Sequence, residues 1–197
     1  KDGTIFRLHR IYPNNNQKEV INRTFGCCRF LWNNTLSDLK SSYEKDKVFR
    51  SRSLKEFKEE YPWLKEVSEQ SKNCVLIDLK TSLNRFFKDR KSKKSNKVNF
   101  PKFKSKRDKQ SYRTCQISKK LIQDNKINLQ LLGLVKCKNS FDIDFSKLNV
   151  KNITVKRTNT DKYYAVLVVD NPPKKVYPST DSKIGIDLGL KDFAILS

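Results

Sequence analysis

The chain reads as an α+β protein, and three observations predict that class. Residues 15–90 repeat apolar side chains every three or four positions. Residues 111–170 break into short runs rich in β-branched and aromatic residues, separated by polar turns. Residues 184–196 form two apolar runs around Lys191-Asp192, as the arms of a hairpin would. Segregated strand and helix patterns of this kind predict helices packed on an antiparallel sheet rather than an alternating parallel fold.

Taken in order, residues 4–12 alternate as a strand, with Phe6 and Leu8 on one face, Arg7 and His9 on the other, and Pro13 at its end. Asn14, Asn15 and Asn16 offer helix caps. The following Val20, Ile21, Phe25, Cys28, Leu31, Trp32, Leu36 and Leu39 hold a helical spacing, within which Gly26 either weakens the helix or admits a close backbone. A shorter helix covers 54–61 and stops at Pro62. Ser68 is placed to cap a third, whose Leu76, Leu79, Leu83, Phe86 and Phe87 form an apolar stripe expected in the core.

The character then changes. Residues 88–109 hold 11 basic and two acidic side chains among 22, interleaved with Phe100 and Phe103. Cations hold phosphates and aromatic faces stack on bases, so this alternation suits a nucleic-acid track, with a solvated loop as the alternative. Candidate strands follow at 111–117, 126–129, 134–138, 150–157 and 163–170, the last two joined by the hairpin-type loop Thr158-Asn159-Thr160-Asp161-Lys162. Short antiparallel strands suggest a small barrel that the first strand joins. Pro172-Pro173-Lys174-Lys175 opens a linker. In the last segment Ile184, Ile186 and Leu188 share one strand face, and Asp187 stands on the other between Gly185 and Gly189, open to a cation and a phosphate backbone.

Composition narrows the partners. Forty-three basic residues against 21 acidic ones give a net charge of +22 in 197 residues. Such an excess repels itself in the compact state unless a polyanion neutralises it, and nucleic acid is the natural one. No apolar run reaches 18 residues, which argues against a membrane-inserted protein. Cys27, Cys28, Cys74, Cys115 and Cys137 show no Cys-x-x-Cys pair, and His9 is the single histidine. Reduced thiols in a cytoplasmic protein are expected, with no zinc site in this portion. The chain also has no methionine and so lacks a natural start.

Gly185-Ile186-Asp187-Leu188-Gly189 resembles the first motif of RuvC-type nuclease domains, and the chain ahead of it resembles the TnpB nucleases of insertion sequences, relatives of type V CRISPR effectors. Phe6-Arg7-Leu8, Ile11-Tyr12-Pro13-Asn14, Phe25-Gly26-Cys27-Cys28-Arg29-Phe30-Leu31-Trp32-Asn33, residues 79–87 and Phe100-Pro101-Lys102-Phe103-Lys104 carry that likeness in order. It implies a small wedge-like antiparallel β-barrel interrupted by a helical recognition lobe and followed by the first hairpin of a RuvC/RNase H-like domain. The implied divisions are 1–14 for the first barrel strand, 15–90 for the lobe, 91–176 for the basic tract and remaining barrel, and 177–197 for an incomplete nuclease start.

The resemblance further implies an RNA-guided DNA-targeting protein whose partners are a guide RNA and double-stranded target DNA bearing a short adjacent motif. Guide pairing would read sequence while the protein reads shape and the motif. By position, motif contacts fall at Gln70, Ser71, Lys72 and Asn73, and at Gln110, Ser111, Tyr112 and Thr114. The basic tract supplies Arg90, Lys91, Lys93, Lys94, Lys97, Phe100, Lys102, Phe103, Lys104, Lys106 and Arg107 for RNA and its phosphates. Asp187 matches the first catalytic carboxylate and a magnesium ligand. The carboxylates that complete a two-metal site lie further along in full-length relatives, so cleavage is expected only of a full-length form. A nuclease-inactive RNA-guided repressor and an RNA-binding transposition accessory protein are the alternatives. Intact downstream carboxylates favour the nuclease, and general RNA binding without a guide favours the accessory protein.

Overall fold

The computed structural model of the protein describes residues 4–91, 98–115, 117, 121–123, 125–138, 149–170, 186–187 and 195–196, with side chains from His9 to Val169 within those ranges. Strand β1 (Thr4–Tyr12) leads into helix α1 (Asn15–Asp46), helix α2 (Leu54–Glu60), a 3₁₀ turn (Pro62–Glu66) and helix α3 (Glu69–Lys91). Further strands complete the main sheet and a small separate pair: β2 (Gln110–Thr114), β3 (Ile122–Gln123), β4 (Lys126–Leu129), β5 (Gly133–Cys137), β6 (Val150–Arg157) and β7 (Tyr163–Asp170), then β8 (Ile186–Asp187) with β9 (Ile195–Leu196).

Local chemistry starts and stops the helices where the sequence says it should. Asn14 Oδ1 accepts from the Gln17 amide at 2.9 Å while Gln17 Oε1 accepts from the Asn14 amide at 3.0 Å, a reciprocal cap on α1. Lys47, in the left-handed region at φ 59°, closes the other end. Between them Ile21, Thr24, Phe25, Cys28, Leu31, Trp32, Thr35, Leu36 and Leu39 are buried at a three- and four-residue spacing. A methyl group at Gly26 would meet nothing within 4 Å, so this glycine admits no close backbone and only loosens the helix. Ser53 and Glu56 cap α2 in the same reciprocal way, and Pro62 begins the 3₁₀ turn.

The main sheet is antiparallel, in the order β2-β6-β7-β1-β5-β4-β3. The amino-terminal strand lies inside it, pairing Thr4 with Asp170 through Ile11 with Tyr163 on one side and Ile11 with Cys137 on the other. This places the helices, inserted between β1 and β2, against a sheet assembled from both sides of the insertion. A single core joins the two layers, including Ile21, Phe25 and Leu31 from α1, Leu79 from α3, and Ile127, Val135, Ile153, Val155, Ala165 and Leu167 from the strands.

Four expectations change on meeting this fold. The sheet is open among the described residues, not a closed barrel: β2 and β3 form opposite edges, and β3 offers only two paired residues, too few to build a closing ladder. The sheet curls enough for Thr114 Oγ1 of β2 to donate to Gln130 Oε1, just past β4, at 3.3 Å. His9 is not on a wet face but 1% exposed, because its side of β1 is the one that carries Ile11 into the core. Phe87 leaves the expected core stripe and is 38% exposed, while Cys74 and Val75 take inward places on α3. The strand expected at 111–117 ends at Thr114.

Antiparallel pairing of Ile186 with Leu196 and Asp187 with Ile195 joins β8 and β9. The linker at 172–182 and the glycines around Asp187 lie outside the described residues.

Candidate nucleic-acid interface

A cleft of about 140 Å³ runs between α1, α3 and β2, closed at one end by residues 104–109. Helical spacing brings Phe25, Cys28, Arg29 and Trp32 of α1 to it, and one turn of α3 contributes Val75 and Asp78. Strand β2 alternates so that Gln110, Tyr112 and Thr114 point inward while Ser111 is exposed and Arg113 half-buried. Phe25 and Tyr112 pack with ring centroids 5.7 Å apart, which fixes the helix to the strand.

The basic segment behind this cleft is not a loose loop. Trp32 Nε1 donates to the Lys102 carbonyl at 2.9 Å, and Asn33 grips the Lys104 backbone by two bonds of 2.9 and 2.8 Å. Gln110 Nε2 donates to the carbonyls of Ser105, Lys106 and Asp108, while its Oε1 accepts from Arg29 Nη1 at 2.7 Å. The backbone is thus tied down while Lys102, Phe103, Lys106, Arg107 and Lys109 stay exposed. Lys104 is also exposed as a residue, but its ammonium lies 3.7 Å from the Trp32 ring centroid. Lost hydration there lowers its pKa, against the pull of Asp78 and Cys28.

The residues expected at the adjacent DNA motif divide in two. Gln70, Asn73 and Ser111 are exposed. Ser71 is fully buried, and Lys72, 1% exposed, donates from Nζ to the Leu64 carbonyl at 2.8 Å and pairs with Glu69 at 2.8 Å. Its ammonium fastens α3 to the 3₁₀ turn, out of reach of a DNA groove in this fold. Gln110, Tyr112 and Thr114 are likewise turned inward, as period-2 alternation requires once Ser111 faces water. The structure does bring the two segments together: the start of α3 lies along β2, with Ser71 and Thr114 on one small cavity and Cys74 Sγ 3.6 Å from Cys115 Sγ.

Of the phosphate candidates, Arg90 and Lys91 are in the last turn of α3 and both exposed, and Phe100 is half-buried against Phe86. Lys93, Lys94 and Lys97 lie outside the described residues, as does the side chain of Asp187. Sequence reading missed Arg29 and Asn33; Arg113, within the stretch 110–114 expected at the motif, bonds to Asp78 at 2.6 Å. The signal for Arg113 was present, since alternation through β2 pairs it with Ser111 on the outer face.

Burial pushes the Cys28 thiol up to about 12 and, with Cys115 beside it, the Cys74 thiol up to about 11, so both are protonated at neutral pH. No group of three or more His, Cys, Asp or Glu among the described residues is arranged to hold a metal ion.

Fold and cleft define the class: an α+β protein whose helical insertion and open antiparallel sheet frame a cationic, aromatic-lined groove. A helix-turn-helix domain, OrfB IS605 type, matches residues 9–47. In this structure that stretch is the end of β1 and the unbroken α1, with no turn between two helices. Two curated proteins named as putative RNA-guided DNA endonucleases are each 27% identical to the chain: InsQ of Escherichia coli strain K12, over 95% of this chain and 46% of its own length, and one from Streptomyces pristinaespiralis, over 96% and 47%. These likenesses support the resemblance to TnpB-type proteins that the sequence motifs carry. The chain spans about half the length of these relatives.

Proposed function

We propose that this chain is the guide-RNA-binding and motif-reading portion of an RNA-guided DNA-targeting protein. The observation that carries the reading is the tract itself: an ordered backbone at 100–110, tied to α1 and β2, displays cations and Phe103, while Gln70 and Asn73 on α3 and Ser111 on β2 are exposed. Cations on a fixed track neutralise phosphates and release counterions, and amide and hydroxyl groups can bond base edges in a groove. The names carried by the two relatives support the same reading.

In this reading Gln70, Asn73 and Ser111 face the adjacent DNA motif, and Lys72 positions the helix that carries two of them. The chain acts on DNA at the bacterial or archaeal nucleoid. Cleavage belongs to a longer form, in which Asp187 on β8 is the first of several carboxylates and magnesium the expected cation.

The test is to purify the 197-residue chain with the RNA that accompanies it, sequence that RNA, and present duplexes randomised beside the RNA-complementary segment. One enriched structured RNA and a preferred adjacent motif are expected. Changing Asn73 and Ser111 together to alanine should flatten the motif preference with RNA affinity kept within about threefold. A bound RNA pool mirroring the host transcriptome, with no motif preference, would overturn the reading in favour of general RNA binding.

A further inference from the structure

The helical lobe carries a second feature, away from the motif-facing row. Near the far ends of α1 and α3, Tyr43, Phe49, Phe86, Phe87 and Phe100 surround a hollow of about 370 Å³. The rings touch in sequence: Tyr43 and Phe49 stack at 4.6 Å and 13°, Phe49 meets Phe87 edge-on at 5.4 Å, Phe87 meets Phe86 at 5.3 Å, and Phe86 meets Phe100 at 5.2 Å. Only Phe100 among them packs on the main core. Tyr43, Phe49 and Phe87 remain 43%, 36% and 38% exposed. Contiguous apolar surface of this kind, left in water, marks a binding site.

Charge selects the occupant. Lys40 Nζ lies 4.6 Å from the Phe103 ring and 5.7 Å from Phe100, Lys47 Nζ 5.4 Å from Tyr43, and the Arg90 guanidinium 5.0 Å from Phe86. The last turn of α3 adds Lys88 and Lys91, against Glu44 as the one acidic group lining the hollow among the described residues. An apolar protein helix gains nothing from such a rim. A nucleotide does, because its base takes a ring face while its phosphates take the cations.

We propose that this hollow seats an unpaired nucleobase of a single-stranded nucleic acid, stacked against the Tyr43, Phe49 and Phe87 rings and held by phosphate contacts to Lys47, Lys88 and Arg90. The inference rests on the nucleic-acid reading above and adds a site to it. It requires no adjacent motif and no particular guide. Stacking tolerates any base, so the site selects unpaired over paired strands rather than one sequence over another.

The experiment measures binding of the full chain to a short single-stranded oligonucleotide and to an abasic strand with the same number of phosphates. The base-bearing strand should bind roughly tenfold more tightly. Phe49→Ala and Phe87→Ala should remove that difference and leave both the abasic affinity and the salt dependence unchanged. Phe49→Leu keeps apolar bulk without an aromatic face, so loss of the preference in this variant separates stacking from folding damage. Equal binding of both strands by the native chain, or an undiminished preference in the folded variants, would overturn the proposal. If the motif library still discriminates in that case, the proposed function stands without this site; if neither strand binds, both fall. Self-association abolished by Phe49→Ala, with no base preference, would assign the hollow to a second copy of the chain and also overturn the proposal.

Discussion

In residues 70–73 a helix decides which polar groups meet water, whereas in residues 100–107 the backbone's own anchors decide it. The α3 turn rotates by about 100° per residue, so Gln70 and Asn73 emerge together while Ser71 and Lys72 are carried into the lobe. Lys72 then meets Leu64 and Glu69, both fixed by the fold. Residues 100–107 have no such period. Their carbonyls at Lys102, Ser105 and Lys106 are satisfied by Trp32 and Gln110, and the Lys104 carbonyl by Asn33, so the chain is held while its side chains are released outward. Lysine content alone therefore does not identify a phosphate surface. What matters is whether the backbone or the ammonium supplies the anchor.

The largest expected effect breaks the anchor in α3. Glu69→Gln leaves a buried ammonium with one carbonyl for compensation and should destabilise the chain by about 1–3 kcal/mol in chemical denaturation. Adding Lys72→Met removes that charge and should recover most of the loss. If the double variant is as unstable as the single one, Lys72 is not the reason. The same pair sets a pH dependence. Lys58 and Lys72 hold the Glu69 carboxyl below its ordinary value of 4.5. Its stabilisation is therefore complete above that value and is lost as the pH falls through the lowered one, a decline that Glu69→Gln should flatten.

A smaller effect tests the support that both regions share. Helix α1 holds the basic tract through Trp32 and Asn33 and packs against α3. Gly26→Ala, with open space for the added methyl group, should raise stability by about 0.5–1 kcal/mol and leave nucleic-acid binding unchanged. A destabilised variant would mean that Gly26 serves a purpose other than the one its surroundings indicate.

Much of this architecture was legible in the residues. Asn14 capping α1, Pro62 after α2, the loop between β6 and β7 and the alternation of β6 and β7 are local signals, and the structure follows them. What could not be read depended on distant partners. His9 turns inward because β1 is flanked by β7 and β5, both over a hundred residues away in sequence. The two-residue β3 lacks a period long enough to see, and among the described residues no longer edge there closes the expected barrel. For the site, the basic and aromatic character of 88–109 was plain, but its attachment to Trp32, Asn33 and Gln110 was not. The inward turn of Lys72 also required knowing where the Leu64 carbonyl lies. Tyr43 and Phe49 gave no periodic signal, since one ends a helix and the other follows it.

The contrast between the two regions is tested most directly by the salt dependence of RNA binding. Titrations across ionic strength would compare the native chain, Lys72→Met, and a variant with Lys102, Lys104, Lys106 and Arg107 all changed to glutamine. The native chain and Lys72→Met should share one steep slope of log affinity against log salt, and the four-residue variant should be shallower by roughly 0.7–0.9 for each phosphate that is no longer neutralised. Equal slopes for the native chain and the four-residue variant, or a flattened slope for Lys72→Met in a folded protein, would contradict the assignment of the basic tract as the phosphate-binding surface.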